Sequence, residues 1–105
     1  MSVEIYNTDE NDTKICLAVS GEEFFNEIWA NALGDLQITR LGNGIYLYKE
    51  DLPDILNDFL RIKQWSESNL SGEDLANIVS HIDTILDYLP KQWAENDDIP
   101  RPWMG

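Results

Sequence analysis

The chain has 105 residues, enough for one domain with a core of its own, and no apolar run long enough to span a bilayer. Twenty Asp and Glu stand against seven Lys and Arg, giving a formal net charge of −13. That balance argues against nucleic acid or an anionic membrane as a direct partner, because both need basic surface, and it favours a cationic protein partner.

The first twelve residues, MSVEIYNTDEND, lack the basic and apolar regions of a signal peptide. The one cysteine, Cys16, leaves no internal disulfide. Both point to a cytoplasmic protein. Val3 to Tyr6 alternates apolar and polar residues and reads as a strand. Residues 7–13 form an acidic loop, and Lys14 to Val19 reads as a second strand with Ile15, Leu17 and Val19 on one face. The two strands pair as a hairpin. Asp9, Glu10 and Asp12 lack the further spaced oxygen ligands and the bend glycine of a calcium loop, so the loop reads as a solvated turn and no metal or cofactor is expected.

Ser20-Gly21-Glu22-Glu23 has the form of a capping box opening a helix. Phe24, Phe25, Ile28, Trp29 and Ala32 form its apolar face, and Gly34 is placed to stop it. Next come two strands around Gly42-Asn43-Gly44, read as a hairpin because asparagine and glycine tolerate the positive φ of a tight turn. In the second of these strands Ile45 and Leu47 face the core while Tyr46 and Tyr48 face outward. Asp51-Leu52-Pro53-Asp54 then starts a second helix, with Leu52, Ile55, Leu56, Phe59 and Leu60 on its buried face. Arg61 and Lys63 are placed in its last turns, and residues 66–71 form a polar link. The third helix begins at Ser71-Gly72-Glu73-Asp74. It carries a heptad-like stripe of Leu75, Ile78, Val79, Ile82, Ile85, Leu86 and Leu89, and Pro90 is expected to end it.

Residues 90–105 read as an irregular tail packed on the domain. Trp93 and Trp103 either dock on their own domain, or the run from Ile99 to Trp103 engages a partner. The whole is a single α+β domain over residues 1–105, with an antiparallel sheet of about four strands in two hairpins and three helices. The expected order is β-β-α-β-β-α-α.

No nucleophile–base motif, P-loop or zinc spacing occurs, and neither the lone His81 nor Cys16 has an activating neighbour in sequence. The expectation is a binding protein and not an enzyme. Asp51, Asp54 and Asp58 fall on one helix surface, and Asp83 and Asp87 lie four apart on the third helix. Like charges at that spacing repel unless solvent or a basic partner relieves them. Tyr46 and Tyr48 beside carboxylates have the make-up of an interface hot spot. The candidate partner-binding residues are therefore Tyr46, Tyr48, Asp51, Asp54, Asp58, Asp83, Asp87 and Trp103.

At GNGIYLYKEDLPDILNDF the sequence resembles small bacterial immunity proteins of the contact-dependent and polymorphic toxin systems. Their glycine turn, I-Y strand and acidic E/D-L-P helix start occur in the same order, and the upstream EEFFNEIW helix fits. The resemblance covers about half the chain. It implies an inhibitor that binds one cognate toxin domain, often a nuclease, and has no enzymatic activity. Two other readings stay open: an acidic decoy that imitates nucleic acid and occupies a DNA-binding protein, and a small enzyme.

Overall fold

The computed structural model describes residues 2–7, 15–95 and 101–105. Its elements run β1 (Ser2–Tyr6), β2 (Cys16–Gly21), α1 (residues 22–35), β3 (Ile45–Tyr46), α2 (Leu52–Asn69), α3 (Gly72–Glu95) and β4 (Trp103–Met104). This is an α+β protein with one antiparallel four-stranded sheet, in the order β2-β1-β4-β3, and three helices. The fourth strand comes from the C-terminal segment and not from residues 36–41, so the order is β-β-α-β-α-α-β.

The first hairpin forms as its alternation predicts. Val3, Ile5, Leu17 and Val19 are buried. Asn7 closes the loop end, its Oδ1 accepting from the Ile15 amide at 2.9 Å. A bulge between Val3 and Glu4 shifts the register, pairing Val3 with Ser20 and Glu4 with Ala18. Val19 is thus the extra residue, and the consecutive Val19 and Ser20 both turn inward. The bulge also removes the capping box. Buried Ser20 donates its hydroxyl to the Gly21 carbonyl at 2.9 Å, and Gly21 caps α1 without any side-chain bond.

Helix α1 is α-helical at both ends and π-helical over Phe25–Trp29. The wider turn brings residues four apart nearly into line, and Phe25 and Trp29 stack at 5.9 Å with 8° between their planes. Gly34 does not stop this helix. It runs to Asp35, and the left-handed residue is Gln37 at φ 54°.

The central hairpin expected around Gly42-Asn43-Gly44 does not form. Residues 36–41 do bury Ile38 and Leu41, which is the apolar alternation seen in the sequence. Their backbone bonds, however, turn to the end of α1: the Ile38 amide donates to the Leu33 carbonyl at 2.9 Å. Gly44, at φ 96°, provides the turn into β3, and β3 pairs with β4. The C-terminal segment competes successfully for the sheet position because it buries Met104 completely between β1 and β3.

Helix α2 begins after a 3-10 turn at Lys49–Asp51, with Pro53 in its first turn. Asp51 holds the cap position but makes no side-chain cap bond. Ile55, Phe59 and Ile62 are buried, whereas Leu60, expected in the core, is exposed. The buried stripe drifts from 55 and 59 to 62 and 66, so Leu60 falls outside it. The helix continues to Asn69. Arg61 and Lys63 therefore sit mid-helix, and the link to α3 shrinks to residues 70–71.

Helix α3 packs on both β2 and α2. Ile78, Ile82, Ile85 and Leu89 are fully buried along its stripe. Pro90 does not end it; the helix runs through to Glu95, and Trp93 extends the buried stripe by a turn. The tail expected as irregular is thus helical to residue 95 and a strand at 103–104. The acidic residues weighed for calcium, Asp9, Glu10 and Asp12, and the tail residues Ile99 and Pro100 lie outside the described residues.

Candidate partner-binding face

Among the described residues the helices lie on one face of the sheet, and no element covers the other. Strand pleating decides what each face carries. On the covered side Ile45, Met104, Ile5 and Leu17 stand in one cross-strand row. The next row points outward: Tyr46 on β3, Trp103 on β4, Tyr6 on β1 and Cys16 on β2. Three aromatic rings thus cross three adjacent strands.

Glycines shape this row. A Cβ on Gly105 would meet the Trp103 indole nitrogen at 2.5 Å, and one on Gly44 would lie 3.9 Å from the far edge of the same ring. The indole therefore occupies the space a side chain at residue 105 would need, and lies in ordinary contact distance of Gly44. Tyr46 meets it edge-on, with 4.8 Å between ring centroids and a 68° angle. The Arg101 guanidinium lies over the Tyr46 ring at 4.7 Å. Tyr46 and Tyr48 remain 36% and 44% exposed, so this packing leaves much of their surface open to a partner. Tyr48 follows two residues beyond the end of β3 and is likewise exposed, and the Glu50–Asp51–Asp54 carboxylates begin directly beyond it in the chain.

The predicted site residues separate into three groups. Tyr46 and Trp103 are in ring contact, with Tyr48, Asp51 and Asp54 following along the chain; Asp54 is exposed and Asp51 half-buried. Asp58, expected on the same helix surface, is buried at 2% exposure. It accepts a hydrogen bond from Arg40 at 3.0 Å and faces Arg61 at 3.6 Å. Arg61 in turn donates to the Leu36 carbonyl at 3.0 Å. Asp58 is thus a clasp that ties residues 36–40 to α2, and it is not available to a partner. The spacing of aspartates along the helix could not reveal this, since only the placement of the 36–44 segment brings Arg40 over Asp58.

Asp83 and Asp87 form the third group, on exposed α3. Each already has a lysine: Lys63 reaches Asp83 at 2.8 Å, and Lys91 reaches Asp87 at 2.9 Å. The hydrogen bond each lysine donates to its aspartate, together with the aspartate's charge, raises the lysine's pKa. That face offers a cationic partner less unpaired charge than the start of α2 does.

Tyr6, Arg101 and the two platform glycines were missed as site residues. The β1 alternation already directs Tyr6 away from Val3 and Ile5, so the signal for it was present. Arg101 was hidden by the reading of its segment as an unstructured tail. Cys16 is exposed on the open sheet face, not buried among apolar residues as its sequence neighbours imply. His81 is half-buried on α3, with Nδ1 2.8 Å from the Asn77 carbonyl. Among the described residues no three metal-ligating side chains cluster, and no helix is long and apolar enough to cross a membrane. No family model matches the chain, and no curated protein or solved structure matches it.

One prediction arises from the clasp. Asp58→Ala should lower stability by about 2 kcal/mol, the scale of hydrogen bonds to charged groups, discounted because both arginines are partly exposed and can rehydrate. Urea unfolding of the variant at low and high salt checks this. A loss under about 0.5 kcal/mol would show that the clasp does not hold the segment.

Proposed function

We propose that this chain is a protein-binding inhibitor of the immunity type, which neutralises a cognate basic toxin domain in the cytoplasm and catalyses no reaction of its own. The observation that carries the reading is the aromatic row Tyr6–Trp103–Tyr46 on the open sheet face of a chain with net charge −13. Tryptophan, tyrosine and arginine dominate interface hot spots because they bury large, rigid area and exclude water. Exposed aromatic surface on a soluble domain marks interaction sites. A strongly acidic chain speeds encounter with a basic partner and orients it. The resemblance at GNGIYLYKEDLPDILNDF supports the same class of partner, a toxin domain, and a nuclease is the toxin chemistry whose substrate demands a basic surface.

The test is binding to a basic C-terminal toxin domain of a secreted protein, where one is encoded beside this chain. Tyr46→Ala and Tyr48→Ala should each weaken binding by about 2 kcal/mol, mainly through faster dissociation. The double variant Asp51→Asn, Asp54→Asn should instead slow association and flatten its salt dependence. Circular dichroism confirms folding. If all three variants fold and bind as wild type does, the sheet face is not the interface. A partner that binds duplex DNA and this chain competitively, with no effect from either tyrosine, would favour the decoy instead.

A further inference from the structure

We infer that the Tyr46–Trp103 corner of the open sheet face is a slot for an arginine side chain, which the chain's own Arg101 fills until an arginine of the basic partner takes its place. This rests on the reading of that face as partner-binding and specifies what it recognises.

The occupant is argued from what already sits there. The Arg101 guanidinium carbon is 4.7 Å from the centre of the Tyr46 ring, a distance at which the ring quadrupole attracts a cation. Trp103 packs edge-on against the same Tyr46 ring, with 4.8 Å between centroids, and so fixes the ring that the guanidinium covers. Among the described residues Arg101 makes no ion pair, although the chain holds twenty carboxylates. Arg40 and Arg61 are held by Asp58, Lys63 by Asp83 and Lys91 by Asp87. Among the described residues, then, exposed Arg101 meets a ring and no carboxylate. An exposed cation–π contact of this kind is weak and readily exchanged. The platform is preorganised as well: Gly105 leaves room for the indole, where any side chain would collide with its ring nitrogen.

A guanidinium suits the slot better than an ammonium. It is planar, weakly hydrated and stacks on aromatic faces, while its N–H edge stays free for a carboxylate. Surrounding charge favours the exchange too, because a partner arginine arrives with the rest of a basic surface on a chain of net −13.

The experiment uses a hexa-arginine peptide and a hexalysine peptide as probes, titrated into the full chain by calorimetry, with the Tyr46 ring-proton shifts followed by NMR. Vacating the slot with Arg101→Ala should tighten hexa-arginine binding by about two- to fivefold beyond Lys91→Ala, which removes the same charge away from the rings. Arg101→Lys, which keeps the charge but stacks less well, should also tighten it. In a Tyr46→Leu background the gain from Arg101→Ala should vanish, and wild type should prefer hexa-arginine to hexalysine. The inference is overturned if Arg101→Ala gains no more than Lys91→Ala, or if its gain survives in Tyr46→Leu. These readouts need no toxin. A toxin domain that binds while they fail removes only the arginine slot. Success here with no toxin binding would leave the slot standing and remove the inhibitor reading.

Discussion

Deleting residues 101–105 is expected to remove most of the stability of this protein, with the urea midpoint collapsing and the unfolding transition broadening. The segment is the strand that joins β3 to the rest of the sheet. Met104 is fully buried, and burying a side chain of that size contributes about 1.5–3 kcal/mol. Glu4 and Gly105 exchange both backbone bonds, at 3.1 and 2.9 Å. Gly44 donates to Met104 at 2.7 Å, and Leu47 to Pro102 at 2.8 Å. Each such bond contributes about 0.5–1.5 kcal/mol net. The combined loss, on the order of 5 kcal/mol or more, is comparable with the whole stability of a small domain. Met104→Asp should approach the same result with the backbone intact, because it places a charge among Ile5, Ile45 and Leu47. A truncated chain that unfolds cooperatively within about 1 kcal/mol of wild type would show that β3 and α2 hold without this strand.

The same segment marks where the sequence was hardest to read. Local patterns carried the first hairpin, because Val3, Ile5, Leu17 and Val19 alternate with polar or smaller residues over strands long enough to show period two. They carried the three helices and the outward direction of Tyr46 and Tyr48 as well. A two-residue strand such as Trp103–Met104 has no period to detect, and nothing local says that it will enter between β1 and β3. Residues 36–41 misled for the converse reason. Their alternation reflects real burial of Ile38 and Leu41, but without a sheet partner burial does not make a strand. Helix ends were also misjudged: α1 runs one residue past Gly34, and α2 runs past Lys63 to Asn69 with Ser66 on its buried side.

Net charge raised the expectation of a cationic partner, and it could not separate aspartates that face solvent from those already used. Asp58 looks in sequence like a neighbour of Asp54 on an acidic face, and in the fold it is the anion of a clasp. Two of the eight predicted site residues, Asp83 and Asp87, are bonded to lysines of the same protein, and a third is buried. The contiguous part of the prediction is the run from Tyr46 to Asp54 together with Trp103, brought beside Tyr46 by the strand that could not be foreseen.

Trp93→Ala should cost about 3–5 kcal/mol, the range for truncating a large buried aromatic, and it should also shorten α3. Proline within a helix removes one backbone bond and crowds the preceding turn, a cost of about 3 kcal/mol that ordinarily ends the helix. Here α3 passes through Pro90 and continues to Glu95. What lies beyond the proline to offset that cost is Trp93, fully buried and four residues past Leu89 on the same stripe. Remove the indole, and residues 91–95 keep no large apolar anchor, so the last turn should fray back toward Pro90. Leu89→Ala makes the comparison. It also empties a fully buried site, at about 2–5 kcal/mol, but it lies before the proline and leaves Trp93 to hold the end. Amide exchange then separates the two variants: protection over residues 91–95 should be lost in Trp93→Ala and kept in Leu89→Ala. Equal protection in both would mean that the helix end is held by something other than the Trp93 side chain.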